Sequence, residues 1–230
     1  MKIALVADVH GNLPALEAVI ADLERVKPDL VVHGGDLVLN GPHPAEVLDR
    51  VRELGWPGVL GNTDEALWKE PEGRPHFRAP IAATTRLLGK DRVGWLRRLP
   101  LEWRRSAELA LVHAVPGDLW KGIRPDADER LLLDIYGPLG AGLAVYCHIH
   151  RGFVRRLDGL TVANTGSAGM PWDGDWRASY LVVSDGRCEH RRVVYDLERE
   201  LAGLRSTGYP NWEDLAEGRR QGTPPAFLRS

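Results

Sequence analysis

The order of apolar and polar runs points to an α/β fold with mixed sheets, on three observations. Residues 3–7, a helical repeat and residues 30–32 form a β-α-β unit of about 30 residues, which requires a parallel strand pair joined by a helix. Further short apolar runs recur along the chain, each ending in a polar residue capable of chemistry. The pairs Asp158-Gly159 and Asp185-Gly186 lie between alternating segments and read as tight hairpin turns, so the later half is expected to be largely antiparallel.

Taken in order, Ile3 to Ala7 is a run suited to a buried strand. Leu16, Val19, Ile20, Leu23 and Val26 then follow at helical spacing behind Pro14, a favourable first-turn residue. Leu30 to Val32 is the second strand, and a helical pattern returns over Ala45 to Leu54. Val59-Leu60, Leu109 to Val112, Leu143 to Tyr146 and Leu160 to Ala163 are the next expected strands. Residues 65–105 carry four prolines, three tryptophans and a basic stretch, and are expected to form a loop and one or two helices capping the site. One domain is expected over residues 1–220, with a mobile tail over 221–230 rich in Gly and Pro.

The composition narrows the function. A chain of 230 residues with 43% hydrophobic content can bury a full core. Thirty Lys and Arg against 32 Asp and Glu leave a net charge of −2, which offers no general basic surface for a nucleic-acid backbone. Cys147 and Cys188 cannot staple a chain of this size, so a reducing, cytoplasmic setting is expected. No leader-like stretch precedes the first strand, and no apolar run approaches the ~18 residues of a bilayer span, so no membrane partner is expected.

In α/β sheets ligands bind outside the carboxyl ends of strands, where loops converge on a rigid base. The expected strand ends deliver Asp8 and His10, Asp36, Asn62, His113, His148 and His150, and Asn164. In Asp8-Val9-His10 and His148-Ile149-His150, alternate residues of an extended segment would point the same way, bringing paired donors to one cation. Gly34-Gly35 before Asp36 and Gly61 before Asn62 let the backbone pass close to a ligand. Asp36 can bridge two cations, and Asn62 offers a neutral carbonyl oxygen. Mixed O and N donors suit Mn, Fe, Zn, Ni or Co. His33, His43, His76 and His190 read by default as surface or core-edge residues.

The ordered series Asp8-x-His10, Gly35-Asp36, Gly61-Asn62, His113 and His148-x-His150 resembles that of the calcineurin-like metallophosphoesterases. The stretches Asp8 to Val19 and Asn164 to Asp175 look like its small bacterial and archaeal branch, so the likeness covers most of the chain. It implies a four-layer α/β/β/α sandwich of two mixed β-sheets flanked by helices. It also implies one metal on Asp8, His10, Asp36 and His150 and a second on Asp36, Asn62, His113 and His148.

The implied activity is hydrolysis of a small phosphate ester or nucleotide-like substrate, foremost a phosphodiester. Two cations roughly 3.5 to 4 Å apart would hold a bridging hydroxide for in-line attack. Asp36, Asn62, Asp64 and His113 are the expected catalytic groups, and manganese is the first ion to try. Dinucleoside polyphosphate hydrolysis or nucleotidase activity is the alternative, and a metal-binding scaffold for protein partners is the alternative of another class.

Three departures from the family pattern matter. Thr63 stands where the family often has the histidine taken to protonate the leaving group, and a hydroxyl is no acid near neutral pH. This predicts a preference for good leaving groups, with Asp64 or His43 as substitute acids and capping of the next helix as the competing role of Asp64. Asn40 stands where protein phosphatases carry a phosphate-clamping arginine, which disfavours that activity. Cys147 replaces a common glycine, and Met170-Pro171-Trp172 replaces a more polar loop. Trp172 with Arg177, and Trp68 with Trp120, could form a base-stacking or phosphate-gripping wall, although tryptophan packs in cores and caps more often.

Overall fold

The computed structural model describes residues 1–228 and arranges them in two β-sheets pressed face to face, with helices on both outer surfaces. The first sheet contains β1 (Lys2–Val6), β2 (Leu30–His33), β8 (Ala178–Ser184) and β9 (Arg187–Val193), in the order β2-β1-β8-β9. β1 and β2 are parallel, and the remaining pairs are antiparallel. The second sheet contains β3 (Glu102–Arg105), β4 (Leu109–Val112), β5 (Leu143–Tyr146), β6 (Phe153–Arg156) and β7 (Thr161–Asn164), in the order β3-β4-β5-β7-β6. Its centre, β4-β5-β7, is parallel, and both edges are antiparallel. The expected four-layer sandwich of mixed sheets is therefore present.

The unbroken apolar runs follow from this layering, because each central strand is covered on both faces. Along β1, Ile3, Leu5 and Ala7 enter the core between the sheets with Leu111, Val145, Ala163 and Leu181, while Ala4 and Val6 face outward. That outer face is covered by α1 (Leu13–Val26), α2 (Pro44–Glu53), α4 (Arg78–Leu88) and α5 (Lys90–Leu96), through Leu16, Val19, Val47, Leu48, Leu88 and Leu96. The short α3 (Asn62–Glu65) precedes these last two helices. On the opposite surface, α6 (Glu129–Tyr136) seals the second sheet, with Tyr136 stacked on Tyr146 at 5.0 Å. A fourth cluster joins α4 to α7 (Leu197–Ser206) and α8 (Trp212–Gln221) through Ala83, Leu204, Tyr209 and Leu215. Full burial of one such leucine contributes about 1.5–3 kcal/mol.

The hairpin signal at Asp185-Gly186 joins β8 to β9, and both residues have positive φ, 50° and 71°. Asp158-Gly159 joins β6 to β7, with the Leu157 amide on the Leu160 carbonyl at 2.8 Å. Two expectations need correction. Val59-Leu60 is not a strand: Pro57 and Gly58 admit only one parallel bridge, from Gly58 to His33, before the chain turns into α3. The segment 65–105 forms the expected helices but ends in β3, an edge strand whose polar sequence, EWRR, concealed it. Of the tail over 221–230, residues 229 and 230 lie outside the described residues; in the rest, the Gly222 carbonyl accepts from the Gly174 amide, and Phe227 packs against the fourth cluster.

Candidate metal centre

The parallel strands β1, β2, β4 and β5 all end on one side of the sandwich, which is where the polar residues gather. Asp8 follows β1, Asp36 follows β2, His113 follows β4, and His148 and His150 follow β5. The two sheets are tied together at this edge by the His113 ring, which donates from Nδ1 to the Gly34 carbonyl at 2.7 Å, while within the second sheet the Cys147 amide donates to the His113 carbonyl at 2.9 Å. Cys147 is fully buried against Gly34, where a Cβ would collide with its sulfur. Gly61 likewise leaves room for the Asp36 carboxylate, which a Cβ there would strike.

The reason for the paired donors differs from the one expected. Neither triplet is extended: Asp8, His10, His148 and His150 all have left-handed φ, 55°, 50°, 67° and 56°. Asp36 and Asn40 share this conformation, at 53° and 72°. Such values are uncommon outside glycine, and their concentration here marks a site held in shape by its surroundings.

One donor atom from each of Asp8, His10, Asp36 and His150 falls within 4.8 Å of the others, and all four residues are buried. His10 Nε2 stands 3.1 Å from His150 Nε2 and 3.7 Å from Asp36 Oδ2, while His150 Nε2 is 3.6 Å from Asp8 Oδ1. The other oxygen of Asp36 faces a second group: Oδ1 is 3.5 Å from His113 Nε2, which lies 2.8 Å from Asn62 Oδ1, and His148 Nδ1 is 2.9 Å from that same Asn62 oxygen. Asp36 thus sits between two donor clusters and presents one oxygen to each.

Ring protonation tests whether cations fit. His10, His113 and His150 place Nδ1 against the carbonyls of Leu39, Gly34 and Met170 at 2.9, 2.7 and 2.6 Å. A carbonyl only accepts, so the proton sits on Nδ1 and each neutral ring turns the lone pair of Nε2 inward. His148 donates from its ring to the Trp120 backbone, leaving Nδ1 to face Asn62. Lone pairs therefore meet lone pairs between His10 and His150 and between His113 and Asn62, and Asp8 Oδ1 is buried without a hydrogen-bond partner. An arrangement of acceptors facing acceptors fits divalent cations.

Electrostatics agree. Burial pulls the imidazoles down, His10 and His148 to about 3 and His113 to about 4, and His150 well below its usual range with help from His10. Burial pushes Asp36 up to about 7, and burial with the Asp36 charge raises Asp8 well above the usual carboxylate range. Neutral rings beside carboxylates that resist ionisation are what buried ligands look like before a cation compensates them.

The cluster opens into a cavity of about 260 Å³ walled by Asn40, Thr63, Trp120 and Trp172, and by Arg74, His76 and Phe77 from the cap. Trp172 stacks on His150 at 3.9 Å between ring centroids. Of the proposed aromatic wall, Trp120 and Trp172 are in place, whereas Trp68 lies under Arg97 and Arg177 pairs with Asp175.

Two candidate acids are placed elsewhere. Asp64 is fully buried, with its oxygens accepting from the Leu37 amide at 3.0 and 3.2 Å and the Val38 amide at 3.3 Å, so it braces the loop that carries Asp36. His43 turns toward α7, with Nδ1 3.9 Å from Glu200. Asn164 shapes the neighbouring loop by donating to the Cys147 carbonyl at 2.6 Å. The sequence reading passed over His76, Arg74 and Arg219. Arg219 on α8 is buried, pairs with Glu200 at 3.0 Å and donates to the Asn40 carbonyl at 2.8 Å, and no sequence pattern marks it.

A model of the calcineurin-like phosphoesterase superfamily domain matches residues 1–185. The chain belongs to that superfamily. It is therefore a metal-dependent phosphoester hydrolase by family, and its buried Asp/His cluster could hold the metal. A metallophosphoesterase from Sphaerobacter thermophilus superposes with a TM-score of 0.83 at 29% identity, over 96% of this chain and 99% of that one. A protein from Pyrococcus horikoshii shares the fold with a TM-score of 0.87 at 20% identity, covering 96% and 98%. An uncharacterized protein of Methanocaldococcus jannaschii is 28% identical over 94% of this chain and 98% of its own length. A symmetrical bis(5'-nucleosyl)-tetraphosphatase from Pectobacterium atrosepticum is 34% identical, but over 56% of this chain and only 46% of that enzyme. Among the described residues, no helix is long and apolar enough to cross a membrane.

Proposed function

We propose that this phosphoesterase hydrolyses small phosphodiesters, with one divalent ion held by Asp8, His10, Asp36 and His150 and another by Asp36, Asn62, His113 and His148. The carrying observation is the pair of donor clusters that share the two oxygens of Asp36. When bound, two such ions activate water and offset charge on the phosphoryl oxygens. The chain's part is to orient. Carbonyls of Leu39, Gly34 and Met170 fix the imidazole tautomers, Asp64 braces the Asp36 loop, and the Thr63 amide donates to Asp36 Oδ1 at 2.9 Å. Asn40 puts a neutral amide on the cavity wall, and Arg74 from the cap lines the same cavity as a cation able to offset one phosphoryl charge.

A second reading, hydrolysis of a dinucleoside polyphosphate, is favoured by Trp120 and Trp172 on the cavity wall, which offer aromatic faces to a base, and by the tetraphosphatases among the relatives. One panel decides between them: Mn-loaded protein with monoesters, diesters, cyclic nucleotides and dinucleoside polyphosphates, and Asp36→Ala as control. Diesters turned over fastest, with Asp36→Ala inactive, is the expected result. Equal rates in the wild type and the variant overturn the metal assignment.

A further inference from the structure

Hydrolysis of an ester with a poor leaving group depends on a proton reaching the departing oxygen, and the cavity contains few groups able to give one. The rings of His10, His148 and His150 have their protons committed to backbone carbonyls and their lone pairs turned into the clusters. Arg74 does not surrender its proton, and Asn40, Thr63, Trp120 and Trp172 are far too weakly acidic. Asp64 is engaged with two amides, and His43 faces Glu200. His76 remains.

His76 lies in the short turn Pro75–Phe77 that leads into α4, and it lines the same cavity as Asp36, Asn62 and His148. Its ring is held by aromatic packing, 4.7 Å from Phe77 and 6.4 Å from Phe227 between centroids, and Phe77 is fixed in turn against the edge of Trp120 at 5.4 Å. Among the described residues, no hydrogen bond occupies either ring nitrogen of His76. A half-buried imidazole, in tilted contact with two aromatic rings and with its nitrogens unengaged, lines the same cavity as the donor clusters, whose volume of about 260 Å³ is below the usual range of about 300–1,000 Å³. A bound phosphoryl group in so small a space lies near every wall.

Resting on the phosphodiesterase reading, we propose that His76, carried by the cap, is the acid that protonates the leaving group. A water oxygen forms a bond to phosphorus as the bond from phosphorus to the departing oxygen breaks. That oxygen keeps the bonding pair and takes the proton from the His76 imidazolium, while the attacking water gives one proton to solvent. The products are a monoester and an alcohol, and His76 is reprotonated from solvent. An imidazole is suited to this exchange near neutral pH.

The test uses the full Mn-loaded chain and a series of methyl aryl phosphodiesters with phenols of graded acidity. His76→Ala is expected to lower kcat about 10²- to 10³-fold for phenol and less than about threefold for p-nitrophenol, steepening the leaving-group dependence. His76→Gln, which keeps polarity without an acid, is expected to behave like His76→Ala, and added imidazole should restore part of the lost rate. Bound manganese, measured on the purified variants, is expected to match the wild type. An equal loss for every leaving group, a loss of bound manganese, or no loss at all overturns the role of His76. A wild type inert toward every diester overturns the phosphodiesterase reading and this proposal with it.

Discussion

Removal of the Asp64 carboxylate separates bracing from proton transfer. Its oxygens accept from the amides of Leu37 and Val38 at 3.0 and 3.3 Å, in an interior closed to water. Asp64→Ala leaves two buried donors unmatched. Each costs roughly 1–3 kcal/mol, so the variant is expected to lose about 2–6 kcal/mol of unfolding free energy, a large part of the usual total of about 5–15. Asp64→Asn keeps one accepting oxygen for the same amides and is expected to lose only about 1 kcal/mol. Asp36, released from its left-handed turn in the alanine variant, is expected to hold divalent metal about 10- to 100-fold more weakly. Urea unfolding and calorimetric metal titration on both variants measure these quantities. If Asp64→Asn abolishes turnover while stability and metal affinity stay near wild type, the bracing role is refuted and Asp64 is the acid.

Three further outcomes are expected. Asp36→Ala removes the group shared by both clusters, so bound divalent ion per chain, measured by elemental analysis, is expected to fall to near zero; retention of two ions would contradict the shared placement. Burial pushes the Asp22 carboxyl upward, but hydrogen bonds from Tyr180 and Arg191 outweigh it and hold the group below its usual range. A depressed carboxylate stabilises the fold above the unfolded value of about 3.9 and loses that contribution as pH falls through its folded value. Asp22→Asn is therefore expected to cost about 1–3 kcal/mol at pH 7 and much less near pH 2 in urea unfolding, and a gap that stays constant would contradict this. Lastly, Thr63→His placed in the His76→Ala background puts an imidazole at another position lining the same cavity, and it is expected to recover turnover of phenyl esters; no recovery in a folded, metal-loaded double variant counts against room for an acid at position 63.

The candidate ligand residues were legible because parallel strands end together, and the sequence carries that regularity as apolar runs closed by Asp, Asn or His. The backbone at those positions was not. Alternation in Asp8-Val9-His10 suggested extension, whereas contacts from remote segments, such as the Ser167 hydroxyl on the Asp8 carbonyl at 2.7 Å, support turns that local pattern does not encode. Val59-Leu60 misled because the run is buried, Val59 in the core between the sheets, while its pairing stops at a single bridge: the Val59 amide donates to the His33 carbonyl and the Leu60 amide to that of Pro100. β3 and Arg219 were invisible because their polar sequences look solvated, and only packing of the edge strand and of α8 buries parts of them. His76 carried no signal at all. Its place depends on how the cap closes over the strand ends, and on Phe227, 151 residues further along the chain.

The left-handed backbone at the proposed ligands bears on how the protein withstands heat. Five such side chains are held in this sparsely populated conformation around facing lone pairs and a carboxylate oxygen with no partner, so the folded form carries its own opposition at the place where it acts. Cations that bind only the folded form offset this, by about 2.7 kcal/mol when free ion stands at 100 times its dissociation constant. A chelator should then do more than silence the enzyme. It should lower the melting temperature, and the availability of metal to the cell would set how long each molecule stays folded as well as how fast it turns over.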